Sequence, residues 1–464
     1  MSVAPPPVDG HGYVTEVAYR PSFHAEQAPA AMRAAVALSG FEPPKGDDYD
    51  ALEIGPGPGR TMLLLAAANP GSRFVGVDLL PEHVAEARDL AAKGRVENAR
   101  FEQGDLADID GGALGAFDYV AAHGVYTWVS PALRARLAAV ASAALRPGGL
   151  FYVSYNAMPG WSAAEPLRRL LVDAAARASG DLSTRAEQAL AYADLLRQHG
   201  AAYFAQNPAA VAMLSELLAK HVSYVLHEHY NEHSGAVWFA DVARGMLAHD
   251  LHYVASLPLY LNYRDLALPP AVAPLFRGAA DRGWFEAQKD FATNAFFRRD
   301  VYRKGAAPHV AAAADRFLES EAFATVSPAE DTPRSVSLPY ATMGFTGPIY
   351  DGLVRALGGD PVTVEELAAS EQMRGRFSRR QVLDALRNLV VAGLVAPMRP
   401  GPLADPPPLN RALLAGWTEG DGPLALASPR TGSGVLLDEP TVSRLAGGER
   451  PPAVTRLGLL SRRG

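Results

Sequence analysis

The stretch Ala51-Leu52-Glu53-Ile54-Gly55-Pro56-Gly57-Pro58-Gly59-Arg60-Thr61 decides how the rest of the chain is read. A short apolar strand delivers a carboxylate at Glu53. Three glycines then alternate with two prolines, and a helical run follows from Thr61 to Ala68. Glycine lets the backbone turn sharply and approach a ligand closely, because no Cβ intervenes. Pro56 and Pro58 carry no N–H, so amide contacts to a ligand are expected from Gly55, Gly57, Gly59 or Arg60. The loop is not a phosphate-cradling P-loop: Arg60 stands where that motif needs lysine, and Ile54 where it needs its first glycine. Nor is it the Gly-x-Gly-x-x-Gly dinucleotide fingerprint, since the third glycine position falls on Arg60 or on Met62.

The following strands narrow the reading. Arg73-Phe74-Val75-Gly76-Val77-Asp78 is apolar and ends in an acid, 78 − 59 = 19 residues beyond the last glycine. An acid about twenty residues on can hydrogen-bond ribose hydroxyls at the end of the second strand. Pro81 is suited to open the next helix. Ala99 to Asp105 is a third strand closing on Gly104-Asp105, Phe117 to His123 a fourth, and Leu150 to Tyr155 a fifth. Strand and helix alternate over residues 50 to 156 with short connections, which predicts a parallel sheet covered on both faces. Ser130-Pro131 is expected to cap and open one of those helices. Ligands in such sheets bind beyond the carboxyl ends of the strands. Gly55 to Gly59, Asp78, Asp105 and His123 therefore share one edge.

Glu-x-Gly-x-Gly-x-Gly resembles motif I of the class I S-adenosylmethionine-dependent methyltransferases. The resemblance sharpens at His123-Gly124-Val125-Tyr126-Thr127-Trp128 and at Tyr155-Asn156-Ala157-Met158-Pro159-Gly160-Trp161. These segments are similar to stretches of bacterial methyltransferases that carry a methyltransferase regulatory domain, whose best-known members are protein lysine methyltransferases acting on outer-membrane proteins. Leu226-His227-Glu228-His229-Tyr230 and Phe291 to Asp300 fit the same family, as do Tyr19 and Pro29 ahead of motif I. The chain departs from it in the prolines of motif I and in lacking a long C-terminal extension. The resemblance implies S-adenosyl-L-methionine as cofactor and S-adenosyl-L-homocysteine as product. It implies a cofactor site of Glu53, Gly55, Gly57, Gly59, Asp78, Leu79, Asp105, Leu106 and His123, with Asp105 near the adenine amino group. It further implies a protein or peptide substrate.

The expected organisation is an N-terminal arm (1–48), a Rossmann-like α/β domain (49–161), a helical middle or regulatory domain (162–330), a winged-helix-like domain (331–400) and a C-terminal segment (401–464). Tyr13, Tyr19 and Phe23 in the arm either staple it to the core or cover the cofactor. Leu and Ala recur at three- and four-residue spacing between Ser162 and Leu251, and these alanine-rich helices offer a face for a homodimer. His229-Tyr230-Asn231-Glu232-His233 matches an inverted zinc-protease pattern, but the family likeness accounts for it without metal, and no metal site is expected. In the winged-helix segment, Arg376, Arg379, Arg380 and Arg387 are interrupted by Asp384. The tail ends in Arg456, Arg462 and Arg463, read as a solvated terminus.

Composition sets the remaining bounds. The chain has 464 residues, 48% apolar and 20% charged, with no cysteine, which excludes disulfides and thiolate chemistry. No apolar run approaches the eighteen or so residues of a bilayer span, and Met1 to Gly10 lacks the features of a signal peptide, so a cytoplasmic protein without a membrane partner is expected. A net charge of −7 disfavours nucleic acid as a partner.

Methyl transfer is an in-line displacement in which the protein supplies position and a dry site. A lysine acceptor must also lose its proton, which burial among aromatic walls favours. Aromatic faces hold the methylated product as well. Tyr126, Trp128, Tyr155 and Trp161 are the expected walls, and His123 the group that orients the acceptor or takes a proton. The expected activity is methylation of an amine, lysine foremost. The alternatives are O- or N-methylation of a small molecule or natural-product peptide, and, in a different class, a non-catalytic regulator that senses the cofactor.

Overall fold

Five short apolar runs become parallel strands because each is followed by a segment that must cross back over the sheet. They are β1 (Asp50–Ile54), β2 (Arg73–Asp78), β3 (Ala99–Gln103), β4 (Phe117–Ala122) and β5 (Leu145–Asn156). The computed structural model describes residues 22–279, 281–449 and 451–460. The readings placed on Met1 to Gly10, Tyr13, Tyr19, Arg462 and Arg463 lie outside those residues. Three helices frame the first strands: α1 (Pro29–Leu38), α2 (Arg60–Ala68) and α3 (Pro81–Lys93). Pro81 opens α3 as expected. Ser130 caps the helix Pro131–Ala144 by accepting the Leu133 N–H at 3.3 Å. Period-two alternation sorts the strand side chains onto two cores. Phe74, Tyr119, Leu150 and Tyr152 pack on one face of the sheet. Val75, Val77, Val120, Phe151 and Val153 pack on the other.

The helical expectation for 162–330 holds only for its first part. Helices Glu165–Ala175, Leu182–Gln198, Pro208–Ala219 and Val222–His229 enclose a core that includes Leu167, Leu171, Leu190 and Leu226. The chain then returns to the sheet with β6 (Leu251–Ser256) and β7 (Phe297–Lys304), giving the order β3-β2-β1-β4-β5-β7-β6. β7 runs antiparallel to both neighbours, pairing Phe151 with Tyr302 and Asn156 with Phe297 on the β5 side. Its sequence, Phe-Arg-Arg-Asp-Val-Tyr-Arg-Lys, lacks the apolar alternation that marks a strand. The charges are accommodated by burial in pairs. Arg298 donates to Asp300 at 2.8 Å, to Asp290 at 2.5 Å and to Glu286 at 2.8 Å, and Lys289 lies 2.6 Å from Glu286. All five side chains are buried.

Beyond β7, the helix–helix–strand order read from 363 to 398 is present as Val364–Ala369, Arg379–Val391 and Val395–Pro397. Both helices begin with capping boxes, Thr363 with Glu366 and Ser378 with Gln381. The strand completing the small sheet comes from upstream, at Ala322–Thr325, between Val362–Thr363 and Val395–Pro397. The next strands, Leu424–Ser428 and Ser433–Leu437, pair with each other rather than forming a wing on Val395–Pro397. The arginines of the second helix are spent in ion pairs: Arg379 with Glu319, Arg380 with Asp315 and Asp384, Arg387 with Asp315.

The C-terminal segment is not a solvated tail. Leu409, Leu413, Leu426, Ala427 and Val442 join the same buried core as Met62, Leu64 and Ala87 of α2 and α3. The Arg456 guanidinium donates to the carbonyls of Gly358 and Thr325 instead of facing solvent.

Candidate functional site

Motif I forms the tight turn between β1 and α2, with Gly55, Gly57 and Gly59 at φ +74°, +56° and +73°. The first and last of these are also held by packing. A Cβ on Gly55 would come within 2.6 Å of Val125, and one on Gly59 within 2.6 Å of Phe101. A Cβ on Gly57 would meet nothing within 4 Å, so this glycine borders open space. Of the four amides open to a ligand on sequence grounds, the three from glycine are engaged within the protein. Gly55 N–H donates to the Val77 carbonyl at 2.9 Å and Gly59 N–H to the Pro56 carbonyl at 3.0 Å. Gly57 N–H donates to Asp78 Oδ2 at 2.8 Å. The glycines therefore provide close approach, and polar contacts are left to side chains and to the Arg60 amide at the start of α2.

The open space is a cleft across the carboxyl ends of β1, β2 and β4. Glu53, Gly55, Gly57, Asp78, Leu79, Asp105, Leu106, His123 and Trp128 line it, so strand ends distant in sequence meet at one place. Gly59 does not line it and instead serves the turn. Asp78 is buried and accepts Leu80 N–H on Oδ1 at 3.0 Å, beside the Gly57 bond on Oδ2. Burial pushes the Glu53 carboxyl up to about 8, with the Gln27 amide pulling it back and the Asp78 charge adding to the rise. His83 Nε2 and Arg60 Nε, both from residues lining the cleft, are buried and have no partner among the described residues. Unpaired buried nitrogens around a cleft edged by a bare glycine suit a polar ligand with a flat apolar body.

The described part of the arm closes one side. Thr61 Oγ1 accepts the His24 backbone N–H at 3.1 Å and donates to the Ser22 carbonyl at 3.3 Å, which ties the arm to the start of α2. His24 then stacks face to face on His123, ring centroids 3.6 Å apart. His123 Nδ1 is 3.0 Å from the Tyr152 hydroxyl, and the ring of Phe297, at the start of β7, stands 6.1 Å from the His123 ring. Burial lowers His24 to about 4 and holds His123 well below its usual value, with Arg299 depressing both further. Both imidazoles are neutral near pH 7.

Of the four expected aromatic walls, Trp128 alone lines the cleft. Its indole hydrogen-bonds Glu228, whose carboxyl burial pushes up to about 7. Tyr155 is not at the site. It shares strand parity with Phe151 and Val153, is fully buried, and donates its hydroxyl to Asp300 at 2.5 Å. Tyr126 packs beside Tyr155, with Arg134 over its ring. Trp161 is buried between Phe296 and His229, so the first histidine of the His-x-x-Glu-His stretch is a packing residue, while Glu232 is exposed. Besides Trp128, the aromatic rings that line the cleft are His24, His83 and His123, while Tyr152, fully buried, and Phe297 neighbour His123 without lining it. Tyr152 is recoverable from parity alone, being one residue out of phase with the face that Phe151, Val153 and Tyr155 share; His24 and Phe297 carry no such signal.

Residues 51–149 match a methyltransferase domain, and residues 221–304 match a predicted methyltransferase regulatory domain. The chain thus carries a methyltransferase domain and a predicted methyltransferase regulatory domain, and its sheet order and the cleft at the strand ends fit an S-adenosylmethionine-dependent methyltransferase. The uncharacterized protein sll1526 of Synechocystis sp. is 27% identical over 434 residues, covering 92% of this chain and 85% of that protein. RP028 of Rickettsia prowazekii, also uncharacterized, is 28% identical over 226 residues, 48% of this chain and 89% of that one. PKMT2 from Rickettsia typhi, solved in complex with AdoHcy, shares the fold at a TM-score of 0.71 and 20% identity, over 92% of this chain and 88% of that one. No helix among the described residues is long and apolar enough to cross a membrane.

Proposed function

We propose that the enzyme methylates an amine, foremost the side chain of lysine in a protein or peptide. The observation that carries this reading is the aromatic side of the cleft: two stacked neutral imidazoles, His24 and His123, share its lining with Trp128, and the Phe297 ring stands 6.1 Å from His123. S-adenosylmethionine, when bound, supplies an electrophilic methyl group on a sulfonium. Asp78 would take its ribose, Leu79 and Leu106 the adenine faces, and Glu53 its cationic amino-acid end. What the chain adds is the state of the acceptor. A lysine ammonium entering along this apolar, aromatic side loses hydration, which lowers its pKa and favours the neutral nucleophile. A neutral imidazole can orient that amine or take its proton, and the aromatic faces hold the methylated cation once formed. The Asn/Asp-Pro-Pro-Tyr stretch used on adenine amino groups does not follow β4, where Ala121-Ala122-His123-Gly124 stands instead.

The test is incubation of the enzyme with lysate proteins and methyl-labelled cofactor, followed by mass spectrometry of digested peptides. Label on lysine side chains is expected. Label confined to small molecules would replace this reading with small-molecule methylation.

A further inference from the structure

Asp78, the residue proposed to take the ribose, has company that its sequence position does not announce. His83 lies in the first turn of α3, five residues beyond Asp78, and is buried. Its Nδ1 is 3.1 Å from Asp78 Oδ1, while its Nε2 is buried and has no partner among the described residues, in a residue that lines the cleft. An ionised carboxylate only accepts hydrogen bonds and offers about four lone-pair sites. Three of those on Asp78 are already taken: Oδ2 by Gly57 N–H, and Oδ1 by Leu80 N–H and His83 Nδ1–H. One remains, on Oδ2. A ribose presents two adjacent hydroxyls, so Asp78 as held here can accept from only one of them. The bond to a carboxylate places the imidazole proton on Nδ1, which leaves Nε2 as a lone-pair acceptor.

We propose that His83 is a second ribose contact, donating from Nδ1 to Asp78 and accepting one cofactor hydroxyl on Nε2. The diol is then read by a carboxylate–imidazole pair rather than by the acid alone. An unpaired nitrogen among buried groups is costly, and a hydroxyl of the ligand satisfies it. The inference rests on the cleft being the cofactor site.

The experiment is calorimetric titration of the full-length protein with S-adenosylhomocysteine and with its 2′-deoxy and 3′-deoxy forms, for wild type and His83→Phe. A neutral hydrogen bond of this kind corresponds to an affinity loss of about 3- to 10-fold. His83→Phe should weaken the intact product by that factor, and the penalty for removing one of the two hydroxyls should vanish in the variant while the other persists. Should His83→Phe melt below the assay temperature, His83→Asn, which can keep a donor toward Asp78 but does not reach the ribose, must give the same pattern. Deoxy penalties identical in wild type and variant would assign His83 to holding Asp78 only and overturn the proposal. Failure of wild type to bind the product at all would instead remove the cofactor assignment of the cleft.

Discussion

At the scale of single residues, the cleft is governed by two carboxylates in different states. Asp78 is engaged by backbone and side-chain donors, and its removal deprives a ribose of a charged acceptor. Asp78→Ala is expected to weaken S-adenosylhomocysteine by roughly tenfold or more, with far-UV circular dichroism unchanged; affinity equal to wild type in titration calorimetry would refute the role. Glu53 is raised by burial to about 8, above its value in an unfolded chain. The ligand-free fold therefore prefers the neutral acid. The stability this confers is present at low pH and is lost as pH rises from about 4.5 toward 8. Glu53→Gln should accordingly melt higher than wild type at pH 8, and the gap should close toward pH 5, as scanning calorimetry of the unliganded proteins can check. Both acids are legible in the sequence because each ends an apolar strand at a spacing that ligand chemistry demands. Tyr155 is the misplaced residue, although alternation along β5 contains the answer: Tyr152, on the opposite parity, is the tyrosine whose hydroxyl meets His123.

At the scale of elements, the arm before β1 is part of the site. Anchored through Thr61, it sets His24 against His123, and the pair closes the end of the cleft where an acceptor is proposed to arrive. His24→Ala is expected to lower kcat by roughly tenfold or more while leaving the dissociation constant of S-adenosylhomocysteine within about twofold of wild type. Single-turnover kinetics at saturating cofactor would read this, and equal losses in both quantities would make the arm a cofactor clamp instead. His24 has no motif around it, which is why composition and spacing point only to a helix beginning near Ala30. Strand β7 is hidden for a different physical reason. A strand that buries Arg298 and Asp300 as a pair does not show the apolar alternation by which strands are recognised. The C-terminal hairpin escapes notice likewise, its glycines and prolines suggesting a tail while Leu426 and Ala427 fill the core under α2.

At the scale of the whole molecule, the regulatory domain holds a buried ionic cluster that the catalytic sheet meets through the Tyr155 hydroxyl. Arg298 answers Glu286, Asp290 and Asp300, with Lys289 as the second cation, and Tyr155 and Ser256 complete the acceptance at Asp300. Arg298→Met would leave three buried carboxylates facing one lysine. A loss of about 3–5 kcal/mol is expected on the scale of broken buried ion pairs, measured by urea unfolding. A smaller loss would show that Asp290, which burial raises to about 6, takes up a proton in compensation.

The pairing of β5 with β7 carries one more consequence. Seven consecutive residues of the last catalytic strand, Leu150 to Asn156, find their partners in a chain segment about 150 residues later, and that segment begins with the phenylalanine beside His123. A displacement of β7 is thus passed straight to β5 and to the ring beside His123, with no intervening element: the two domains are stitched along a common hem.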